Sequence, residues 1–218
     1  MRILIQYPSR SRSQKFAQGL ETIRNLAVMK DDLLVHVVLD TDDPTLDLYM
    51  PELARLDDVP YLICFGKSTS KIDAINRPLP DVDWDILLTF SDDMRFITYG
   101  WDVLVRDQFR TSRDLFVHFF EKDSGDRVSV MDIVGKDYYA RDRFIYNPDY
   151  LSLFCDEEKT EIARLRGKYV FVDIPIFRHD NPAVTGGEQD AMLKEQQAIG
   201  WSVDHATFLA RKSKNFGL

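Results

Sequence analysis

The chain has 218 residues, 44% of them hydrophobic, and 36 acids against 28 bases give it a formal net charge of −8. A chain of this length and composition can bury a substantial core, which excludes a wholly disordered chain, a collagen and a disulfide-stapled miniprotein. The acidic balance argues against a protein that grips nucleic-acid phosphates with a generally basic surface, while leaving room for a local basic cleft.

Residues 2–7 (RILIQY) form a short apolar run closed by Pro8, as a buried strand would. Over residues 12–29, Phe16, Leu20, Ile23 and Ala27 recur at helical spacing with polar residues between them. Residues 33–39 (LLVHVVL) predict a second strand that stops at the polar cluster Asp40-Thr41-Asp42-Asp43-Pro44. Residues 61–65 (YLICF) and 86–90 (ILLTF) predict two more, with a short helix over 70–76 between them closed by Arg77-Pro78. This β-α-β-α-β order implies a mostly parallel sheet flanked by helices with right-handed crossovers.

Beyond residue 100 the alternation loosens. Residues 115–120 predict a strand, 129–134 a strand or the start of a helix, and 137–149 an aromatic, turn-rich stretch. A helix over 157–166, a strand over 169–174 and a helix over 188–199 ending at Gly200 complete the reading. No repeat or linker divides the chain, so one domain is expected, with residues 1–100 as a nucleotide-binding half and 101–218 as an irregular second half. No run of 18 apolar residues and no signal-peptide core occurs, so a cytoplasmic protein is expected. Cys64 and Cys155 stand in unrelated contexts and read as reduced, apolar filler.

In open α/β sheets, ligands bind beyond the carboxyl ends of the strands. Four polar segments fall at such ends: Pro8-Ser9-Arg10-Ser11-Arg12, Asp40 to Asp43, Gly66 to Lys71, and Ser91-Asp92-Asp93. If the strands are parallel neighbours, acids and bases converge on one cleft. Acids there hold a divalent ion or accept from nucleotide hydroxyl and imide groups, while bases neutralise a diphosphate. The adjacent carboxylates of Asp92 and Asp93 repel each other unless a cation or hydrogen-bond donors compensate. The competing reading of Ser91-Asp92-Asp93 is an ordinary acidic turn or helix cap.

With these parts in order, the sequence resembles the GT-A glycosyltransferases, in particular the family-2-like branch that uses nucleotide-diphosphate sugars. The resemblance rests on YPSRSR as a first nucleotide loop, VVLDTDDPT as a second strand running into acids, GKSTSKIDAINR with Ala74 and Asn76, and ILLTFSDDM as the strand and DXD motif followed by Gly100-Trp101-Asp102. It extends to YNPDYLSLFCDEEKTEIA as the acceptor-side segment and FRHDNP with a late histidine, about residues 2–182 in all. It implies a GT-A fold and a manganese or magnesium ion held by Asp93 and His179, with Asp92 facing the ribose or the water shell of the metal. It also implies nucleotide-sugar contacts from Ser9, Arg10, Arg12, Asp40, Asp42, Lys71, Asn76 and Ser91, a UDP-sugar as first choice of donor, and Asp156 ahead of Glu157 as the base that deprotonates an acceptor hydroxyl. The first acid of DXD is replaced by Ser91, and the usual Glu-Asp pair reads Asp156-Glu157-Glu158. The acceptor is open among a saccharide, a lipid-linked glycan, a protein and a modified nucleobase.

Each residue also has a structural reading. His179 caps a turn, Asp156 to Glu158 favour a helix N-terminus, and Trp101 and the Tyr138-Tyr139 pair either line a sugar site or pack in the core. The tail Arg211-Lys212-Ser213-Lys214 either folds over a diphosphate or stays solvated. The competing function is a non-catalytic nucleotide- or glycan-binding relative of the same fold. A nucleotidyltransferase is disfavoured because PSRSRS is no glycine-rich phosphate loop, and a Walker hydrolase because Tyr61 stands where the first glycine before Gly66-Lys67-Ser68 belongs.

Overall fold

The structure, a computed structural model, describes residues 1–180 and 191–218, with backbone alone for 191–199. Its elements in chain order are β1 (Ile3–Ser9), α1 (Ser13–Leu26), β2 (Leu33–Asp40), α2 (Tyr49–Leu53), β3 (Tyr61–Gly66), α3 (Lys71–Ile75), β4 (Ile86–Thr89), β5 (Met94–Phe96), α4 (Trp101–Gln108), β6 (Phe116–Phe119), β7 (Ile133–Gly135), α5 (Lys136–Asp142), α6 (Cys155–Leu165), β8 (Tyr169–Val172), β9 (Phe177–His179) and α7 (Ala191–Lys212).

Seven strands form one sheet in the order β3-β2-β1-β4-β7-β6-β8, and β5 pairs with β9 in a separate ribbon. Within the large sheet β7 runs antiparallel to both its neighbours, while the other pairings are parallel. The sheet is therefore mostly parallel, as the alternating pattern predicts. Strand order reverses beside β1, because β2 and β3 are laid on one side of it and β4 on the other.

Both faces of β1 are covered, which explains its near-continuous apolar run. Ile3, Ile5 and Tyr7 meet Phe16, Leu20 and Ile23 of α1 and Trp101 and Val105 of α4 in one core cluster. Leu4 lies in a second cluster with Ile72 and Ile75 of α3, Tyr138 of α5, Ile162 of α6 and Phe208 of α7. His36 is a core residue, as its place inside a strand suggests, and its Nδ1 lies 2.6 Å from Oε1 of the fully buried Gln6.

Several elements differ from the sequence reading. The helix α5 occupies the first part of 137–149, where turns are expected, and of 129–134 only residues 133 and 134 enter a strand, β7, the rest being irregular. The last helix continues through Gly200 to Lys212, because Gly200 packs against Leu153 instead of ending the helix. The predicted start of that helix at Glu188 and the Asn181-Pro182 pair lie outside the described residues. The basic tail does not line the cavity at the strand ends: the Arg211 guanidinium grips Glu158 at 2.8 and 3.0 Å, Lys212 pairs with Glu161 at 2.6 Å, and Ser213 and Lys214 are exposed. Trp101 and Tyr138 are fully buried, and Trp101 stacks on Phe96 with centroids 3.8 Å apart. Cys155 is buried and Cys64 half-buried, both as free thiols.

Asp102 is fully buried and accepts the backbone N–H groups of Val28 and Met29, both at 2.9 Å, while pairing with Arg106. Arg106 in turn donates to the carbonyls of Met1 and Asp32. Removing one partner of such a buried pair leaves the other charge uncompensated. Asp102→Ala is expected to lower unfolding free energy by about 3–5 kcal/mol in urea titrations.

Candidate functional site

A cavity of about 500 Å³ opens at the carboxyl ends of the central strands, at the point where the strand order reverses. The loop after β1 brings Ser9, Arg10 and Arg12 to it, the end of β2 brings Asp40, and the start of α3 brings Lys71. The segment after β4 brings Ser91, Asp92 and Asp93, β9 brings His179, and the N-terminus of α6 brings Asp156. Ten of the thirteen residues singled out by sequence thus line one cavity. Asp42, Asn76 and Glu157 do not.

Asn76 is engaged elsewhere. Its Oδ1 accepts the backbone N–H groups of Ile145 and Tyr146 at 2.9 and 3.1 Å, and its Nδ2 donates to the Tyr146 carbonyl at 2.7 Å. It ties α3 to the second half of the chain. Asp42 is more exposed and forms an ion pair with Arg10, which also donates to Asp40 at 3.0 Å. Asp40 further accepts from Ser68 Oγ at 2.6 Å and faces Arg77 at 3.6 Å. The third acid of that cluster, Asp43, takes the N–H groups of Ser11 and Thr45 and so shapes the first loop.

Asp93 and His179 are brought together by the β5–β9 ribbon. Met94 stands opposite His179, the backbone N–H of Asp180 donates to the Asp93 carbonyl at 2.7 Å, and His179 Nε2 lies 3.4 Å from Asp93 Oδ1. The ribbon is held on α1, where Thr22 Oγ1 accepts the Phe96 N–H and Gln18 Oε1 accepts from Arg95. Burial pushes the Asp93 carboxyl upward, but His179, the Ser91 hydroxyl and Lys71 overcome it and hold the group well below the usual carboxylate range. Burial pushes Asp92 up to about 7; the Ser9 hydroxyl and the charge of Arg12 oppose the shift, and the negative charge of Asp93 adds to it. One Asp92 oxygen is buried without a hydrogen-bond partner in the described structure.

One carboxylate and one imidazole suit a magnesium or manganese ion that completes its coordination with water and substrate phosphates. Among the described residues there is no cluster of three or more acidic, histidine or cysteine side chains placed to hold a metal. The pair is therefore a partial donor set that a diphosphate would have to complete.

The three acids opening α6 separate cleanly. Asp156 lines the cavity and caps the N–H of Glu157 at 2.9 Å. Glu157 points elsewhere, its carboxyl raised by burial and by the charges of Asp156 and Glu161. Glu158 is buried beneath Arg211 and accepts the Tyr150 hydroxyl at 2.7 Å, which makes it a packing residue.

Sequence reasoning missed Asp204. This fully buried carboxylate on α7 accepts three consecutive backbone N–H groups, from Leu151, Ser152 and Leu153, at 2.9, 2.8 and 2.7 Å. It fixes the loop that delivers Asp156, and Leu151, Ser152, Leu153 and Gly200 all line the cavity. A lone acid in WSVDHATF carries no local signal, since its partners lie about fifty positions earlier in the chain. The Leu151 carbonyl also accepts the Ile72 N–H at 3.3 Å, so α3, this loop and α7 form one connected wall.

This architecture, a mixed sheet flanked by helices, is a GT-A-like fold. The mannosyltransferase PcManGT from Pyrobaculum calidifontis, solved with GDP-Man and Mn2+, superposes with a TM-score of 0.68 at 14% identity, covering 82% of this chain and 56% of that one. S. aureus TarS 1-349 with UDP-GlcNAc matches with a TM-score of 0.67 at 12% identity, over 89% of this chain and 61% of that one. Glucosyl-3-phosphoglycerate synthase from Mycobacterium tuberculosis, with Mn2+, UDP and glucosyl-3-phosphoglycerate, matches with a TM-score of 0.57 at 12% identity, over 83% and 72%. The chain spans less than two thirds of the length of the first two. No family model matches the sequence, and no curated protein matches it. No described helix is long and apolar enough to cross a membrane.

Asp204→Ala strands three N–H groups that had a charged acceptor. It is expected to cost about 3 kcal/mol of stability. Amide exchange at 151–153 should accelerate about tenfold or more, measured by mass spectrometry at matched folded fraction.

Proposed function

We propose that this protein is a metal-dependent glycosyltransferase that moves a sugar from a nucleotide-diphosphate donor to an acceptor hydroxyl with inversion. The observation that carries the reading is the convergence of the Asp93–His179 pair and Asp156 on one cavity at the reversal of strand order. The solved structures of the same fold with GDP-Man and Mn2+ or with UDP-GlcNAc support a nucleotide-sugar donor. A UDP-sugar is the first choice.

In this reading the loop after β1 and the Asp40 end of β2 receive the nucleoside, while Arg12 and Lys71 lend positive charge near the diphosphate. Asp93 and His179 would hold the ion, which would supply positive charge to offset that of the departing diphosphate. Asp156 takes the proton of the acceptor hydroxyl as that oxygen attacks the anomeric carbon. The bond from that carbon to the diphosphate oxygen breaks, and the nucleoside diphosphate leaves with the bonding electrons. A single displacement of this kind inverts the anomeric configuration. Asp156 fits the role better than its neighbours because Glu157 lies off the cavity and Glu158 is bound by Arg211 and Tyr150.

The test is a thermal-shift panel of nucleoside diphosphates with and without manganese. One nucleotide should stabilise the protein by about 2.7 kcal/mol at a hundred times its dissociation constant. The metal-dependent part of that shift should vanish in Asp93→Ala. In Asp156→Asn the nucleotide shift should persist while transfer falls by about 10²–10⁴-fold. A wild-type protein that binds no nucleotide would turn the reading to a non-catalytic relative, and a fully active Asp156→Asn would remove the base assignment.

A further inference from the structure

Beside the cavity, next in the chain to residues that line it on the Asp156 side, stands an exposed aromatic group. Trp201 is 63% exposed, whereas Trp84 and Trp101 are 7% and 0% exposed. It stands next to Gly200, which lines the cavity, and its ring packs on Phe154 with centroids 5.3 Å apart. Phe154 follows Leu153, another cavity residue, and precedes Cys155 and Asp156. His205, one turn further along α7, lies nearly parallel to Trp201 at 24° with centroids 6.3 Å apart, and also packs on Phe154 at 5.1 Å.

An exposed indole on a loose surface would carry little information. This one is fixed on both sides. Asp204, three positions along α7, clamps the 151–153 loop through three N–H groups, and Gly200 lets the helix approach so closely that an added Cβ would lie 3.4 Å from Leu153 Cγ and 3.2 Å from Asp204 Oδ2. Phe154 itself holds a left-handed backbone conformation, φ 61°, which an aromatic residue adopts only where its surroundings demand it. The aromatic group and Asp156 are thereby carried by segments that Asp204 ties together, the preorganisation that a binding surface requires.

We propose that Trp201, backed by Phe154 and His205, is the stacking platform on which a neutral saccharide acceptor sits at the mouth of the cavity. The proposal rests on the glycosyltransferase reading for the meaning of "acceptor" and names its chemical class. The C–H face of a pyranose carries partial positive charge and fits the negative face of an indole. Its edge hydroxyls are donors for the carboxylate of Asp156. The acids there also decide against an anionic ligand. Asp156 and Glu157 open α6 side by side, and Glu158 behind them is neutralised by Arg211, so an anionic acceptor or an anionic lipid surface would add to the repulsion between the first two.

The exposure contrast supplies a readout that does not depend on turnover. Iodide should quench Trp201 and spare Trp84 and Trp101, and millimolar maltotriose, cellotriose or chitotriose should reduce that quenching at least twofold. Trp201→Phe should remove the quenchable component. In transfer assays with the protecting trisaccharide, Trp201→Ala should raise the acceptor KM tenfold or more while the nucleoside-diphosphate thermal shift is retained, and Trp201→Tyr should restore most of the loss. Iodide quenching unchanged by all three trisaccharides overturns the platform, as does an unchanged acceptor KM in Trp201→Ala, and so does protection by anionic phospholipid vesicles in place of saccharides. Protection by a trisaccharide in a protein that binds no nucleotide and turns over no donor would leave the platform standing and remove the glycosyltransferase reading instead.

Discussion

The organisation of this molecule depends on a single strand being covered on every side. β1 has parallel neighbours on both edges and packed helices on both faces, so its register is fixed in two directions at once. A shift by one residue would exchange Ile3, Ile5 and Tyr7 with Leu4, Gln6 and Pro8 between two different cores. Because β1 cannot slide, the point at which it emerges is constant, and the loop carrying Ser9, Arg10 and Arg12 starts from a fixed place. β4 emerges beside it on the other side of the reversal, and the gap between the two exits is the cavity.

Buried carboxylates then shape the loops around that gap. Asp43 accepts N–H groups from the first loop, Asp102 from the turn after α1, and Asp204 from the loop before α6. Each replaces the backbone partner that an irregular segment lacks, with the strength of a charge-assisted bond. This gives the excess of acids a second meaning. Part of the −8 net charge lies inside the fold as loop clamps and is not a surface signal for a cationic partner.

The strands of the first half were legible because burial on both faces leaves long apolar runs, and the loops after them because polar clusters interrupt those runs. The same logic puts Ser9, Asp40, Lys71 and Asp93 at the ends of neighbouring strands, and all four line the cavity. β5 and β9 were not legible: three residues each show no period, and they exist only by pairing across more than eighty positions. α5 was hidden because its aromatic residues serve the core in a pattern that also suits turns. Asn76 shows the limit of motif reasoning in physical terms. The motif identified the position, but its amide is satisfied by backbone groups about seventy residues away that no local pattern reveals.

The clamp made by Asp204 has a consequence for how the molecule is made. The residues it holds precede it by about fifty positions, so during synthesis the 151–153 loop leaves the ribosome well before its acceptor. The strands β1 to β4 and the loops after β1 and β2 can assemble as the chain grows, since their partners are already present. The wall that carries Asp156 cannot, because its three N–H groups have only water until α7 arrives. The wall of the cavity that carries Ser9 and Asp40 can thus form well before the wall that carries Asp156, and a chain that stopped short of α7 would hold only the first.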